Sequence, residues 1–441
     1  MKKLALGLLL LSALPAMAGP AESRLAQAVR ANNLAGIRAA LAAKADVNAV
    51  LPDKSTVLAW AVDRQNEEAV RLLLAAGAQP RAMAAGGAQP LSLACELGNP
   101  VIVTRLIAAG ADAKLARADG ASAFSVCAAA STTAALAAMA AKGAVINAAD
   151  SQGQTPLMWA AMYGNTANIN WLVRRGAKVN VTDKKGFTPL FFALRSKKHD
   201  AAMALLDAKA DVNAILQDGT SVIQASVLVN DLPFALQAVT HGADVRRVDK
   251  DGKQVIHLAA STGDADFVKA VLAKGIDPNV MTTPPEVAGR GRGGPPGPGF
   301  GMPVPATPLQ FAARAGSVAA MKALVTAGAK SDIKGPDGMT VAVAAAGSAK
   351  LDAMQYAYEL DPHLDVIVRG GRSLMHIAVA GRAQPQSLEL IQFLVDKGAP
   401  LAIADDRKDT PGDALNRGGD QTIREFYVNL LRSKGIVSEN H

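Results

Sequence analysis

Apolar positions along this chain recur in a rhythm of short paired helices rather than in one long helical or strand period. Between Asp150 and Thr182 the chain reads DSQGQTPLMWAAMYGNTANINWLVRRGAKVNVT. Thr155-Pro156-Leu157 predicts the start of a short helix, because proline in the first turn gives up an N–H that has no partner there anyway. Ala160 and Ala161 are small enough for a neighbouring helix to approach closely, and Gly164 predicts the helix end. Ile169, Leu172 and Val173 define one face of a second helix. Gly176 then supplies the positive φ of a helix C-terminus, and Ala177-Lys178-Val179-Asn180 leads into an extended loop. One such unit cannot cover both of its apolar faces. It predicts a copy of itself on either side.

The copies are found by counting. In steps of 33 the helix-start position holds Ser23, Thr56, Gln89, Ser122, Thr155, Thr188, Ser221 and Gln254. The turn after the second helix holds Lys44, Gly77, Gly110, Gly143, Gly176, Lys209, Gly242 and Gly275. After an insertion the phase resumes at Thr307, Thr340 and Ser373, then at Thr410 after four extra residues, which makes twelve units. The recurring words are Thr155-Pro156-Leu157, Thr188-Pro189-Leu190, Thr307-Pro308-Leu309, Gly110-Ala111-Asp112, Asp211-Val212-Asn213 and Gly242-Ala243-Asp244-Val245. In period and wording, residues from about 21 onward resemble the ankyrin-repeat family, in an exported bacterial form. The resemblance implies an all-α solenoid of helix-turn-helix units with projecting loops or hairpins, over 19–280 (repeats 1–8) and 307–441 (repeats 9–12 with a C-terminal cap). It also implies a binding role, although fold alone fixes no function.

Composition fits a solenoid, which grows by adding units and has no limit at the size of one compact core. Half of the 441 residues are apolar but only 4% are aromatic, so alanine carries the packing. Residues 1–18 stand outside the repeats: Lys2 and Lys3, an apolar run from Leu4 to Leu14, and Ala16-Met17-Ala18 read as a secretory signal peptide with its cleavage site. The expected location is therefore periplasmic or secreted, with no membrane span after cleavage. Ala121 to Ala141 carries no charge, but it is rich in Ala, Ser and Thr and keeps the repeat phase, so it reads as a thin repeat. Cys95 and Cys127 fall on first helices of adjacent units; with helices about 8–10 Å apart, they are expected to be core residues rather than a disulfide. Residues 281–306 are expected to form a flexible insertion, since 14 of the 22 residues from Pro284 to Pro305 are Pro or Gly. Its Gly289-Arg290-Gly291-Arg292-Gly293-Gly294 resembles an RNA-binding segment, but a spacer is the simpler reading.

No catalytic constellation is written in the chain. The six histidines form no HExxH, and CxxC, GxSxG and GxxxxGK[ST] are absent, so neither a cofactor nor a small-molecule substrate is expected. His257 and His376 occupy the fourth residue of the helix start, where the resemblance implies a structural role bridging repeats. Asp249 with Asp251, and Asp405 with Asp406, read as turn formers. What remains is surface. The resemblance places the fifth, eighth and ninth residues of the helix start facing outward on the concave side. The fifth row holds Trp60, Leu93, Val126, Trp159, Phe192, Leu258, Phe311 and Ile377; the ninth holds Tyr163 and Arg64. These rings either anchor a partner or pack along the ladder. Charge is local too: from Arg174 to Lys198 eight basic residues face Asp183 alone, including Lys184, Lys185 and Arg195. Trp159, Tyr163, Phe192, Trp60, Lys184, Lys185 and Arg195 are thus the candidate partner-binding residues, and an acidic protein surface is the partner they imply. The expected function is a non-catalytic interaction scaffold outside the cytoplasm. An immunity-type inhibitor of a toxic effector is the alternative, with an enzyme or nucleic-acid binder working through the insertion further behind.

Overall fold

The computed structural model describes residues 24–82, 89–114, 116, 120–283, 305–380 and 383–436. The expected signal peptide and nearly all of the Pro/Gly-rich segment lie outside these. The chain divides into two compact units, Met1–Ala210 and Asp211–His441. The first holds α1 (Arg24–Arg30), α2 (Leu34–Ala42), α3 (Val57–Asp63), α4 (Glu67–Ala75), α5 (Pro90–Glu96), α6 (Pro100–Ala108), α7 (Ala123–Ala130), α8 (Thr133–Ala141), α9 (Pro156–Tyr163), α10 (Thr166–Arg174), α11 (Pro189–Arg195) and α12 (His199–Asp207). The second holds α13 (Val222–Leu228), α14 (Leu232–Thr240), α15 (Val255–Thr262), α16 (Ala265–Leu272), α17 (Pro308–Ala315), α18 (Val318–Thr326), α19 (Val341–Ala346), α20 (Leu351–Leu360), α21 (Leu374–Ala378), α22 (Ser387–Asp396), α23 (Pro411–Asn416) and α24 (Gln421–Ser433). Within each unit every odd-numbered helix packs on the even-numbered helix that follows it. Odd helices also pack on odd ones and even on even, which is the layering of an all-α helix-turn-helix solenoid.

Local chemistry sets the helix ends. Thr56, Ser122, Thr155, Thr188, Ser221, Thr307, Thr340, Ser373 and Thr410 each accept an N–H from the third residue of the helix they open. The turns end in the left-handed region, with Gly176 at φ 85°, whereas Lys44 and Lys209 hold it without glycine at 56° and 65°. An asparagine then reaches to the next repeat. Asn147 Nδ2 donates to Gly176 O at 3.1 Å while its Oδ1 accepts from Lys178 N at 2.9 Å, and Asn48, Asn213 and Asn279 make the same double clasp.

Among the described residues, seven hairpins between repeats close with the same four-residue spacing. The base N–H···O bond joins Leu51 to Ser55, Asp150 to Gln154 and Asp183 to Phe187 in the first unit. In the second it joins Leu216 to Thr220, Asp249 to Lys253, Gly335 to Met339 and Asp405 to Asp409. One hairpin also forms a two-stranded sheet, β1 (Ile367–Val368) antiparallel to β2 (Arg372–Ser373). At the insertion the same base survives: Thr282 N donates to Ala306 O and Ala306 N to Thr282 Oγ1, both at 3.0 Å. The extra residues therefore replace a hairpin tip and leave the stack in register. Of the aspartates read as turn formers, Asp249 and Asp405 act as such: Asp249 Oδ1 accepts from the N–H groups of Asp251 and Lys253, and Asp405 Oδ1 from those of Arg407 and Asp409.

His257 and His376 bridge repeats. Each Nδ1 accepts the N–H of the residue capping its own helix, Gln254 or Ser373, at 3.1 Å. Each Nε2 then donates to a carbonyl of the following hairpin, Val280 or Asp409, at 2.9 Å. Gln310 does the same work in its repeat, accepting from Thr307 N and donating to Ile333 and Met339 carbonyls.

The cysteine expectation is overturned. Cys95 of α5 and Cys127 of α7 are disulfide-bonded, with Cα atoms 4.4 Å apart. The expectation failed because it compared a helix-axis spacing with a Cα spacing. Facing Cα atoms each lie about 2.3 Å from their axes, so axes about 8–10 Å apart leave roughly 3.4–5.4 Å between them. Only small residues allow this; the equivalent Ala160 and Ala161 of α9 are fully buried.

Candidate partner-binding face

Two partly exposed tryptophans of the first unit, Trp60 and Trp159, sit on odd-numbered helices and donate to hairpin carboxylates. Trp159, on the second turn of α9, is half-buried, and its indole Nε1 donates to Asp150 Oδ2 at 3.3 Å. Asp150 Oδ1 meanwhile accepts from Gln152 and Gln154 N–H groups at 2.9 and 2.8 Å, so one carboxylate shapes the hairpin and orients the ring. Tyr163, one turn later, is 50% exposed, and its ring lies parallel to the indole within 4° at 6.4 Å between centroids. These two rings form the open apolar feature of this face.

Trp60 on α3 is held in a similar way, with Nε1 donating to Asp53 Oδ2 at 3.1 Å and the Arg30 guanidinium 4.3 Å above its ring. Burial pushes the Asp53 carboxyl up, but hydrogen bonds from the Ser55 hydroxyl and amide and from the Trp60 indole outweigh it and hold the group below its ordinary value. The carboxylate therefore stays ionised as the acceptor for the indole.

The outward row is not uniform. Trp60, Leu93, Trp159, Leu258, Phe311 and Ile377 are partly exposed, but Val126 and Phe192 are buried. Phe192 was expected to face outward; at 6% exposure it offers no open anchor. The reason is Phe187, at the hairpin base of the same repeat, whose ring lies 5.7 Å from that of Phe192. The guanidinium of Arg195, exposed at the end of α11, lies 5.2 Å from the Phe187 centroid. Phe187 escaped sequence reasoning because its position is mixed, holding Ser55, Gln154, Thr220 and Lys253 but also Ala121, Ala306 and Met339, and carries no regular apolar period.

Lys184 and Lys185 are exposed at the hairpin tip that precedes α11. Their backbone is fixed: Lys184 N donates to Gln152 O in the previous hairpin at 2.9 Å, and Lys185 N donates to the buried Asp183 carboxylate. Two adjacent repeats, whose first helices α9 and α11 pack together, thus supply an aromatic pair and a basic fingertip. Of the other basic residues in this window, Arg175 lies over the Trp171 ring at the end of α10, and Arg174 closes that helix where the dipole favours a cation.

Comparison with known families matches ankyrin repeats, as three-copy blocks, over residues 25–117, 91–183, 124–215 and 190–282. Together these span more than half of the chain. It belongs to the ankyrin-repeat family. No curated protein matches it. Ankyrin repeats are general modules of protein–protein interaction and are typically non-catalytic. Among the described residues of this ankyrin-repeat protein, no helix is long and apolar enough to cross a membrane, and no group of three or more His, Cys, Asp or Glu is placed to hold a metal ion.

Proposed function

We propose that this ankyrin-repeat protein is a non-catalytic scaffold outside the cytoplasm, and that it grips an acidic surface of a partner protein with its first-helix face and hairpin tips. All twelve helix pairs count as repeats in this reading, including those after the insertion that the family match does not reach. The observation that carries it is the Trp159–Tyr163 pair: Tyr163 is half exposed, and the half-buried Trp159 stacked beside it is held by Asp150. A ring already ordered loses little entropy on binding, and aromatic anchors ringed by charge are the usual anatomy of an interface. Lys184, Lys185 and Arg195 supply the charge. The signal-like residues 1–18 support export, and a disulfide is at home in an oxidising compartment. Scaffold and immunity-type inhibitor would use the same face, so the identity of the captured partner separates them.

Pull-down from the extracytoplasmic fraction supplies the partner, and calorimetry with variants tests the face. Trp159→Ala should weaken binding by about 2 kcal/mol or more, with the helical circular dichroism unchanged. Reversing Lys184 and Lys185 to Glu should mainly slow association and flatten its salt dependence. Unchanged affinity in the folded Trp159→Ala variant would remove the anchor. An uncleaved Met1 in cytosolic protein would remove the location.

A further inference from the structure

We propose that the Cys95–Cys127 bond is a latch set during folding, which makes the repeats on its two sides open as one block. The bond joins the first helices of the third and fourth repeats across 32 residues. That junction lacks the side-chain clasp made at the other junctions of the first unit. Asn48, Asn147 and Asn180 donate to the turn carbonyl of the next repeat at 3.1–3.2 Å, and Arg81 reaches Gly110 O at 2.7 Å. The residue in this register at the third repeat is Lys114. Its side chain lies along Gly143, and among the described residues it makes no hydrogen bond to that turn's carbonyl.

The fourth repeat leans the other way. Asn168 Nδ2 donates to the carbonyls of Cys127, Ala128 and Ser131, and Asn165 Nδ2 to those of Ala129 and Ser131. Phe124, the one aromatic residue of α7, packs on Trp171 of α10 at 6.5 Å. These ties all run from the fourth repeat into the fifth. A solenoid is held by nearest-neighbour interfaces; here α5 packs on α7 and α6 on α8 as at the other junctions, and what sets this one apart is the missing clasp. The covalent link supplies the coupling that Lys114 does not.

Closing the latch converts two thiols to one disulfide. The two electrons and two protons pass to a disulfide-bearing oxidant through thiol–disulfide exchange, and the oxidant leaves as a dithiol. Both cysteines are fully buried. Later exchange with an external thiol therefore needs the α5–α7 junction to open, so the bond is a folding-time latch rather than a rapid switch.

Hydrogen exchange read by mass spectrometry tests this on the full chain in three forms: oxidised, refolded in reductant, and Cys95→Ala/Cys127→Ala. Alanine occupies both equivalent positions in α9, so the double variant removes the link and little packing. Both unlinked forms should exchange in α1–α6 on the order of several hundredfold faster than the oxidised chain, given the entropy of closing a loop of this length. The helices α9–α12 should change little. Equal protection of α1–α6 in all three forms overturns the latch. So does fraying of the reduced chain with a fully protected alanine variant, or two titratable thiols in protein prepared without reductant.

Discussion

Trp159 and Asp150 are joined by an indole-to-carboxylate hydrogen bond that Trp60 repeats with Asp53 three periods earlier in the chain. The two aspartates do not occupy the same hairpin position, since Asp150 lies five residues before its helix cap Thr155 and Asp53 three before Thr56. Two different hairpins thus arrive at the same tether. Asp150→Asn tests it selectively. The amide oxygen can still accept from Gln152 and Gln154, while the NH2 group meets the indole N–H donor to donor. The variant should fold, lose about 1 kcal/mol of stability, and show greater acrylamide quenching of tryptophan fluorescence. Quenching equal to the parent would count against the tether.

Acid should weaken the stack through its bridging histidines. Burial holds His257 below its ordinary value of 6.5, against the pull of its backbone hydrogen bonds to Val280 and Gln254 and of Asp249 nearby; Lys253 adds to the depression. His376 is lowered by burial in the same direction. The folded chain then binds fewer protons than the unfolded chain as the pH falls through 6.5. The contribution of each histidine is complete above that value and is lost progressively below it. His257→Gln should keep the bridge, since Gln310 makes one, and should reduce the fall in urea midpoint between pH 7.5 and pH 5.5. An unchanged pH dependence in that variant would assign the acid response elsewhere.

The insertion should be removable, with one condition. Deleting Pro284–Pro303 leaves Thr283, Val304 and Pro305 between Thr282 and Ala306, the same three-residue span as between Asp249 and Lys253. Pro305 then falls where Gly153, Gly186, Gly219, Gly252 and Gly338 take φ of 76–85°. Proline cannot reach that region. The deletion combined with Pro305→Gly should melt close to the parent, and the deletion that keeps Pro305 should be less stable by about 1–3 kcal/mol. Comparable loss in both would show that the removed segment packs.

Lys209 holds φ 65° at a turn where Gly176 and Gly242 serve the neighbouring repeats. Its side chain is exposed, so only backbone strain distinguishes it from glycine. Lys209→Gly should raise stability by about 0.5–1 kcal/mol, relief of strain outweighing the added freedom of the unfolded chain. Denaturant titration measures it; a destabilised variant would mean the lysine stem contributes packing.

Helix starts and turns were legible in the sequence because caps and left-handed turns are chemistry of one or two residues: Thr155 and Gly176 say what they do wherever they stand. The bridging role of His257 was legible from family resemblance. Contacts between non-equivalent positions were not. Phe187 covers Phe192 from a hairpin with no regular apolar period, and the two indole tethers depend on hairpin geometry that spacing does not encode. Cys95 and Cys127 were visible as neighbours in register, but the distance between them needed helix radius as well as helix spacing.

The hydrogen bonds between Thr282 and Ala306 also have a mechanical meaning. Tension drawn along the second unit can cross from Thr282 directly to Ala306, and the Asn279 clasp to Gly328 and Lys330 carries it on into the following repeat. A pull along this part of the chain therefore meets the bonded pair Thr282 and Ala306 before it meets any residue that lies between them in sequence.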